Sequence, residues 1–309
     1  MKRALVLSGG GSKGAFEAGA ISYLLKEENL DFHVLTGTSV GALNGAYLGQ
    51  ARSHHELREL GQELKETWLK IKGNSDIYQG GILGNIWRLL FHSALYNPIG
   101  LKRLIYDNIE PARLFHPRIA VKVTVVSYET GKLLCADSRR PEFQPDFLSY
   151  VLASASMPFF FPPVQIAGQH WYDGGLRDLT PLATAIKENP TEIVVITTFP
   201  VDPSLKATLP TAEPGSALKA VLRTVEILLS EISVNDLQLA QAINKAWWRY
   251  PGKKPIPIRI IAPSKPLSGD TLDFGAKQIH TNLAAGYEAA KTSRFLAMES
   301  FADRSIKHS

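Results

Sequence analysis

The sequence of 309 residues is poor in cysteine and in long apolar runs. Its one cysteine, Cys135, cannot form a disulfide within the chain or build a cysteine-based metal site, so we expect a reducing compartment and no bound metal. No apolar run reaches the roughly 18 residues of a membrane-spanning helix. The apolar run near the N-terminus stops at Ser8, too early for a secretory signal. A cytoplasmic protein is therefore expected.

A large excess of charge of one sign is also missing. The 34 Lys and Arg residues exceed the 29 Asp and Glu residues by a net charge of +5. This surplus does not require nucleic acid as a partner, but it allows peripheral contact with an anionic membrane surface. Apolar residues make up 45% and charged residues 20% of the chain, which excludes a disordered tail, a coiled coil and a collagen-like chain.

The order of the predicted elements indicates an α/β fold. A short apolar strand at 5–7 is followed by a glycine-rich loop at 9–14 and a helix at 15–28, and the same order recurs with a strand at 34–36 and a helix at 40–50. Such alternation predicts a mostly parallel central sheet with helices on both faces, a three-layer α/β/α sandwich.

The rest of the chain predicts further strands and helices. Pattern and composition favour helices at 54–72, 146–156, 217–247 and 275–301, and strands at 119–127, 133–136, 193–198 and 256–261. The strands at 119–127 and 133–136 form an antiparallel pair across the turn at Thr130 and Gly131. Because the later strands are expected to complete the same sheet, we expect residues 1–309 to form one domain.

The first glycine cluster spans residues 9–14 and matches the pattern G-x-G-x-x-G between a strand and a helix. A dinucleotide site with this pattern needs an acidic residue after the second strand, but that strand runs into Gly37-Thr38-Ser39. A Walker A loop needs Lys after the last glycine, where the chain has Ala15. Backbone N–H groups at a helix N-terminus still favour an anion, either a phosphate or a transient oxyanion.

The second cluster is Gly37-Thr38-Ser39-Val40-Gly41, a G-x-S-x-G pattern between a strand and a helix. This is the context of a nucleophile elbow, in which a strained turn presents the serine hydroxyl above the sheet edge. The third element is Asp173-Gly174-Gly175, which follows an aromatic segment. We expect Asp173 at the exposed tip of a strand, where its carboxylate could accept the proton of a serine nucleophile.

These elements, in this order, resemble the patatin-like phospholipase family over about residues 4–190. Ser154-Ala155-Ser156-Met157-Pro158 also resembles a segment of that family. The resemblance implies a lipid acyl hydrolase with no cofactor, acting on a lipid or lysophospholipid through a serine–aspartate dyad. Lys13 occupies the position of a basic residue in the family, although a surface pairing role is equally plausible. The resemblance implies these roles: Ser39 as nucleophile, Asp173 as base, Gly9, Gly10, Gly11, Ser12 and Gly14 around the oxyanion, and Gly37, Gly41, Gly174 and Gly175 as supports of the two turns.

Three alternatives stay open at this point. A serine–aspartate–histidine triad would need a late histidine, and His280 lies on a predicted amphipathic helix. A dinucleotide-binding oxidoreductase would use residues 9–14, and a non-catalytic lipid-binding relative would keep the fold alone. We expect that a variant without His280 stays active.

Three segments are candidates for contact with lipid. Residues 82–96 are apolar and interrupted by Arg88 and His92, and Phe159-Phe160-Phe161 could contact an acyl chain. Residues 243–259 combine Lys and Arg with aromatic side chains and contain no acidic residue, which is typical of a membrane-interface patch. The composition of residues 243–259 is explained slightly better by a solvent-exposed helix end whose tryptophans belong to the core.

Overall fold

The computed structural model describes residues 1–80, 94–116, 118–201, 209, 211–213, 215–245 and 255–293. Its centre is an eight-stranded sheet with the order β5-β6-β3-β2-β1-β7-β8, and β4 also pairs with β3. The strands are β1 Arg3–Leu7, β2 Val34–Gly37, β3 Ala120–Ser127, β4 Leu133–Asp137, β5 Val164–Ile166, β6 Gln169–Asp173, β7 Glu192–Ile196 and β8 Ile258–Ile261.

The sheet is mostly parallel. Strand β1 pairs in parallel with β2 and β7, β2 pairs with β3, and β7 pairs with β8. Strands β4 and β6 pair with β3 in the antiparallel sense, and β5 pairs with β6 in the same sense. Parallel strands need crossover connections, and helices between them supply these.

Helices cover both faces of the sheet. They are α1 Gly14–Lys26, α2 Val40–Leu48, α3 His54–Lys70, α4 Ile99–Asn108, α5 Pro111–Leu114, α6 Phe147–Ser154, α7 Leu182–Ile186, α8 Ala217–Lys245 and α9 Ala276–Thr292. Shorter 3-10 turns lie at Gly11–Lys13, Asn74–Asp76, Gln144–Asp146 and Gly174–Leu176.

Alternate residues of β1 enter two separate cores, which accounts for the two helical layers. Leu5 and Leu7 belong to the larger core, which also contains buried side chains of α1, α2, α3, α6 and α9. Ala4 and Val6 face the smaller core, formed with buried residues of α7 and α8. Successive side chains of a strand point to opposite faces, so a run of apolar residues requires cover on both. The predicted mixed α/β fold with a mostly parallel sheet is confirmed.

The helix boundaries follow local signals. Ser53 caps α3, since its hydroxyl accepts the N–H of Glu56 at 3.1 Å. Helix α6 ends at Ser154, shortly before Pro158, as proline cannot continue a helix. Helices α4, α5 and α7 and the short β5 are additional to the elements predicted from the sequence. None of the helices in the described part of the chain has the length and apolarity needed to cross a bilayer.

Candidate functional site

Three turns meet at one edge of the sheet. Strands β1 and β2 are parallel and Leu7 pairs with Gly37, so the turns that follow the two strands begin side by side. Gly37 also pairs with Val123 of β3, and Val125 of β3 pairs with Asp173 at the end of β6. The ends of β1, β2 and β6 are therefore neighbours, at the kind of sheet edge where open α/β folds bind ligands.

Ser39 lies in a sharp turn between β2 and α2. Its φ of 56° and ψ of −127° fall in a region that residues with a side chain rarely adopt, at a cost of about 1–3 kcal/mol. Helix α2 begins at Val40, which brings the positive end of the helix dipole next to Ser39. Ser39 is only 6% exposed, so its side chain is buried at the sheet edge.

The two glycines that flank this turn allow backbone to pack on backbone. A Cβ atom on Gly37 would collide with the carbonyl oxygen of Gly41, and a Cβ atom on Gly41 would collide with the carbonyl oxygen of Leu7. Any larger residue at either position would push α2 away from the sheet. The G-x-S-x-G pattern is therefore a steric requirement of this turn.

The glycine loop after β1 is held from several sides. Gly11 has a φ of +57°, and a Cβ atom there would collide with the carbonyl oxygen of Thr271. Gly10 lies equally close to the side chain of Thr198, whose hydroxyl donates to the carbonyl of Gly9 at 2.5 Å. Only glycine fits these contacts, so the backbone of the loop carries no side chain at these positions.

The backbone N–H groups of this loop differ in what they contact. Those of Gly9, Ser12 and Gly14 donate to backbone carbonyls: Gly9 to Leu179 at 3.1 Å, Ser12 to Thr271 at 2.8 Å, and Gly14 to Gly11 and Ser12. Within the described part of the chain, the N–H groups of Gly10 and Gly11 donate to no acceptor. Two adjacent free donors therefore remain in the loop, in a region that is close to Ser39: a Cβ atom on Gly9 would lie 3.1 Å from the Ser39 Cβ.

Asp173 is buried, in contrast to the exposed strand tip expected from the sequence. It is 4% exposed, because a 3-10 turn follows it directly and Leu179 and Leu229 pack against that turn at Gly175. Burial raises the pKa of Asp173 to about 7. The N–H of Gly175, 2.8 Å from the Asp173 Oδ1, and the hydroxyl of Ser39 both oppose this rise. The Ser39 hydroxyl thus lies near enough to the Asp173 carboxyl group to stabilise its ionised form.

One segment supports both of these residues. The N–H of Ser39 donates to Ser154 Oγ at 2.9 Å, and the N–H of Asp173 donates to the carbonyl of Ser156 at 3.1 Å. Ser154 is fully buried at the end of α6. The contact with its hydroxyl helps to hold the strained Ser39 backbone. The motif that contains Ser154 and Ser156 is recognisable in the sequence, but its support of Ser39 and Asp173 follows only from the tertiary contacts.

A buried polar cluster lies behind the glycine loop. Asn44 of α2 donates to Glu17 Oε2 at 2.8 Å and to the carbonyl of Gly14 at 3.2 Å, and its Oδ1 accepts from Trp68 Nε1 at 3.1 Å. Glu17 is fully buried, and burial raises its pKa well above the usual range. The cluster joins α1, α2 and α3 beneath the loop. None of these residues belongs to a recognisable motif, so the cluster could not be predicted from the sequence.

An apolar cavity of about 90 Å³ begins beside Ser39 and lies between α2, α3 and α4. Its walls include Met157, Phe161, Leu64 of α3 and Leu104 of α4. An apolar cavity that reaches a reactive side chain suits a ligand with a hydrocarbon part.

The other predicted residues lie elsewhere or have other partners. His280 is exposed on α9, whereas Ser39 and Asp173 are buried. The ammonium of Lys13 forms an ion pair with Glu226 of α8 at 3.0 Å and lies over the ring of Phe199. The described residues contain no group of three or more His, Cys, Asp or Glu side chains able to hold a metal ion.

The segments considered for lipid contact are only partly described. Residues 82–93 of the apolar segment and 246–254 of the basic and aromatic segment lie outside the described residues. Phe160 and Phe161 are buried, and Phe161 lines the cavity. Arg259, at the end of the basic segment, is buried and pairs with both carboxylate oxygens of Glu28, at 2.6 and 2.7 Å.

Comparison with known proteins agrees with this architecture. The family model described as patatin-like phospholipase matches residues 5–186, more than half of the chain. The uncharacterized protein YjjU of Escherichia coli (strain K12) is 27% identical over 213 residues, which cover 64% of this chain and 52% of YjjU. The chain thus spans about half the length of this curated relative.

A solved structure is also similar. The crystal structure of VipD from Legionella pneumophila matches with a TM-score of 0.46 and 14% identity, over 94% of this chain and 66% of VipD. The family match covers β1 to β6 and both glycine turns. On that match, the chain belongs to the patatin-like phospholipase family, a family of lipid hydrolases.

Proposed function

We propose that this protein is a serine hydrolase that cleaves carboxylic esters of lipids, such as phospholipids or lysophospholipids, through a dyad of Ser39 and Asp173. The observation that carries the proposal is a strained, buried serine whose hydroxyl stabilises the ionised form of a nearby buried carboxyl group, the pKa of which is about 7. A carboxylate with such a pKa accepts a proton near neutrality, which a general base must do.

In the first step, Ser39 Oγ attacks the ester carbonyl carbon and its proton moves to the Asp173 carboxylate. The carbonyl oxygen becomes an oxyanion, and the free N–H groups of Gly10 and Gly11 are the donors we assign to it. One such donor typically contributes about 10²–10³ in rate. Of the five loop residues that the family resemblance associates with the oxyanion, Gly9, Ser12 and Gly14 then act by holding the loop in shape, since their N–H groups are already bonded.

The tetrahedral intermediate then collapses. The ester C–O bond breaks, the leaving alcohol takes the proton from Asp173, and the acyl group remains on Ser39. A water molecule next gives a proton to Asp173 and attacks the acyl carbon. A second tetrahedral intermediate releases the fatty acid, and the proton returns to Ser39 Oγ. Because Asp173 both accepts and donates a proton in each half-reaction, a pKa near the working pH serves both roles.

The test is labelling by a fluorophosphonate probe, which reacts covalently with activated serine hydroxyls. We expect strong labelling of the wild-type chain, none of Ser39→Ala, and wild-type labelling of His280→Ala. Peptide mapping of the adduct to Ser39 would identify the nucleophile. Absence of labelling in a folded wild-type protein, or labelling that persists in Ser39→Ala, would overturn the proposal.

The same variants separate the alternatives. A triad that used His280 would lose labelling in His280→Ala. A dinucleotide-binding oxidoreductase would quench protein fluorescence on titration with NADH and would not require Ser39. A non-catalytic relative would bind lipid vesicles without any reaction with the probe.

A further inference from the structure

We infer that Thr198 is a positioning residue of the site: its buried hydroxyl holds the carbonyl group of Gly9, and this contact directs the N–H of Gly10 to the oxyanion that forms at Ser39. The inference rests on the proposed function, because it takes the free N–H groups of the glycine loop as donors to that oxyanion. It adds to the site a residue that lies beyond residues 5–186, the part of the chain that the family model matches.

The end of β7 brings Thr198 next to the glycine loop. Strands β1 and β7 are parallel with Leu7 beside Ile196, and the N–H of Ser8 donates to the carbonyl of Ile196 at 3.1 Å. Gly9 and Thr198 each lie two residues beyond the pair of Leu7 and Ile196, so continuation of the same register brings them together. The Thr198 hydroxyl donates to the Gly9 carbonyl oxygen at 2.5 Å.

Peptide geometry turns this contact into control of a donor. The carbonyl of Gly9 and the N–H of Gly10 belong to one peptide unit, which is planar and trans, so the two bonds point in opposite directions. Because the carbonyl is held by Thr198, the N–H of Gly10 points away from that contact. This N–H donates to no acceptor in the described part of the chain. The hydrogen bond on one side of the peptide thus sets the direction of the free donor on the other side.

A peptide unit between two glycines needs such an anchor. Neither Gly9 nor Gly10 has a Cβ atom, so side chains do not oppose rotation of the peptide plane between them. The hydroxyl of Ser8 also donates to the Gly9 carbonyl, at 3.2 Å. This second contact is longer and comes from the adjacent residue of the same loop. Thr198 supplies the shorter contact, and it does so from a different strand end.

The second free donor has an anchor of its own. The carbonyl of Gly10 accepts the N–H of Lys13 at 3.2 Å, and the same peptide geometry then directs the N–H of Gly11. Thr198 takes no part in this contact, so a change at Thr198 should affect one of the two donors. We therefore expect a loss of rate of about 10²–10³, the usual contribution of one oxyanion donor.

Variants of Thr198 separate its hydroxyl from the shape of its side chain. Thr198 is fully buried, so water does not replace a hydroxyl that is removed. Thr198→Val keeps the branched shape but puts a methyl group against the Gly9 oxygen. A carbon and an oxygen atom need about 3.3–3.6 Å between them, so the carbonyl must turn or move away. Thr198→Ser keeps the hydroxyl and should restore the contact.

Thr197→Val is the matched control. Thr197 is the adjacent residue and is also fully buried, but its hydroxyl contacts Ser233 of α8 at 3.2 Å and accepts the N–H of Phe199 at 3.3 Å. The same substitution there removes one buried hydroxyl and should lower stability, while the Gly9 carbonyl keeps its partner. Comparison of the two valine variants therefore separates a loss of stability from the loss of an oxyanion donor.

The kinetic test uses p-nitrophenyl butyrate as substrate and an alkyl trifluoromethyl ketone as inhibitor, because the adduct of this ketone with Ser39 carries an oxyanion. We expect Thr198→Val to lower kcat by about 10²–10³ with little change in KM, since the donor acts on the oxyanion and not on the ground-state ester. Its affinity for the ketone should fall by a similar factor. Thr198→Ser and Thr197→Val should stay near the wild type in both measurements.

The structural test needs no catalysis: crystal structures of the wild type and of Thr198→Val should show a Gly9 carbonyl that has turned in the variant. An unchanged carbonyl direction, or a wild-type kcat in folded Thr198→Val, would overturn the inference. If Thr198→Val does not fold, Thr198→Ala takes its place in both tests. If Ser39→Ala stayed active, the proposed dyad would fail, while the crystal structures would still decide whether Thr198 holds this peptide.

Discussion

Two buried aspartates adjoin the same strand and differ in their titration. Asp137 ends β4 and pairs with Lys122 of β3, while Asp173 ends β6 and pairs with Val125 of β3. They are 5% and 4% exposed, so both side chains are largely shielded from water. What differs is the charge of their neighbours.

Asp137 has two cations and Asp173 has none. Lys122 Nζ lies 2.7 Å and Arg139 Nη2 lies 2.8 Å from Asp137 Oδ2, and these contacts hold its pKa well below the usual range despite burial. No cationic side chain of the described residues is within ion-pair distance of Asp173, and its pKa rises to about 7. The comparison shows that burial produces a proton acceptor near neutrality only where no cation fixes the charge.

The largest expected effect comes from neutralising each aspartate in turn. Asp173→Asn should lower kcat/KM for a short ester by about 10²–10⁴, the range for loss of a general base, and keep the fold. Asp137→Asn should keep wild-type probe labelling and lower the free energy of unfolding by about 2 kcal/mol, less than for a fully buried pair because Arg139 is partly exposed. Ester hydrolysis and urea unfolding measure the two effects. Equal loss of activity in both folded variants would contradict the proposed difference between Asp173 and Asp137.

The pH dependence of activity tests the same difference between the two aspartates. In the proposed mechanism Asp173 reacts in its ionised form, so kcat/KM should fall about tenfold per pH unit below a midpoint near 7. Acid unfolding does not explain this loss of activity. Although Glu188 is partly buried, neighbouring cations lower its pKa to about 2. Its ionised carboxylate therefore stabilises the fold until the pH falls through that value.

Circular dichroism across the same pH range is the control for the fold. Asp173 has the opposite linkage: its raised pKa means that its contribution to stability is present below the normal pKa and is lost as the pH rises through about 7. Asp173→Asn should therefore gain stability relative to the wild type above this pH. A flat activity profile between pH 5 and pH 8, a range on both sides of the raised pKa of about 7, would remove Asp173 as the base.

The smallest effect is expected at Glu17, a second buried carboxyl group that pairs with no cation among the described residues. Its Oε1 atom has no hydrogen-bond partner among these residues either, and burial raises its pKa. Folded protein therefore binds this proton more tightly than unfolded protein, and stability declines as the pH rises above the normal carboxyl pKa. Glu17→Gln removes this decline and keeps the shape, so it should raise the melting temperature at pH 8 by a few degrees, about 1 kcal/mol or less.

Thermal melts at pH 8 and at pH 4 measure this difference. Glu17 is neutral in the folded protein at the lower pH, so Glu17→Gln should bring little gain there. Asn44→Asp is the reciprocal control, because it removes the amide that donates to Glu17 Oε2 and places two carboxyl groups together. A Glu17→Gln variant that is less stable than the wild type at pH 8 would show that Glu17 is ionised and stabilised in the fold.

The fold was more predictable than the details of the site. Alternating apolar runs and glycine turns predicted the strands near the N-terminus and the helices after them, because strand and helix periodicities are local properties. Helices α4, α5 and α7 and strand β5 were not predicted, and α5 and α7 have only four and five residues. Residues 99–108 contain Lys102 and Arg103 beside the apolar residues and lack a strong start signal, and β5 has only three residues.

The candidate site was likewise predictable only where local sequence signals exist. Ser39 and Asp173 were predicted from the sequence, and the structure places them near each other, although it buries Asp173 where an exposed strand tip was expected. The hydroxyl of Ser154 and the cluster around Asn44 are 115 and 27 residues from their partners Ser39 and Glu17. Contacts over such separations leave no periodic signal in a single sequence.

The layered α/β fold, the glycine turns and the resemblance to a lipid hydrolase family could all be read from the sequence. Each of them depends on short stretches of chain and on steric limits at glycine. Only the tertiary contacts produce the burial of Asp173, the hydrogen bond from Ser39 to Ser154 and the apolar cavity next to Ser39. Burial, charge and cavity shape are set by side chains from distant segments, and the chain must fold before these come together.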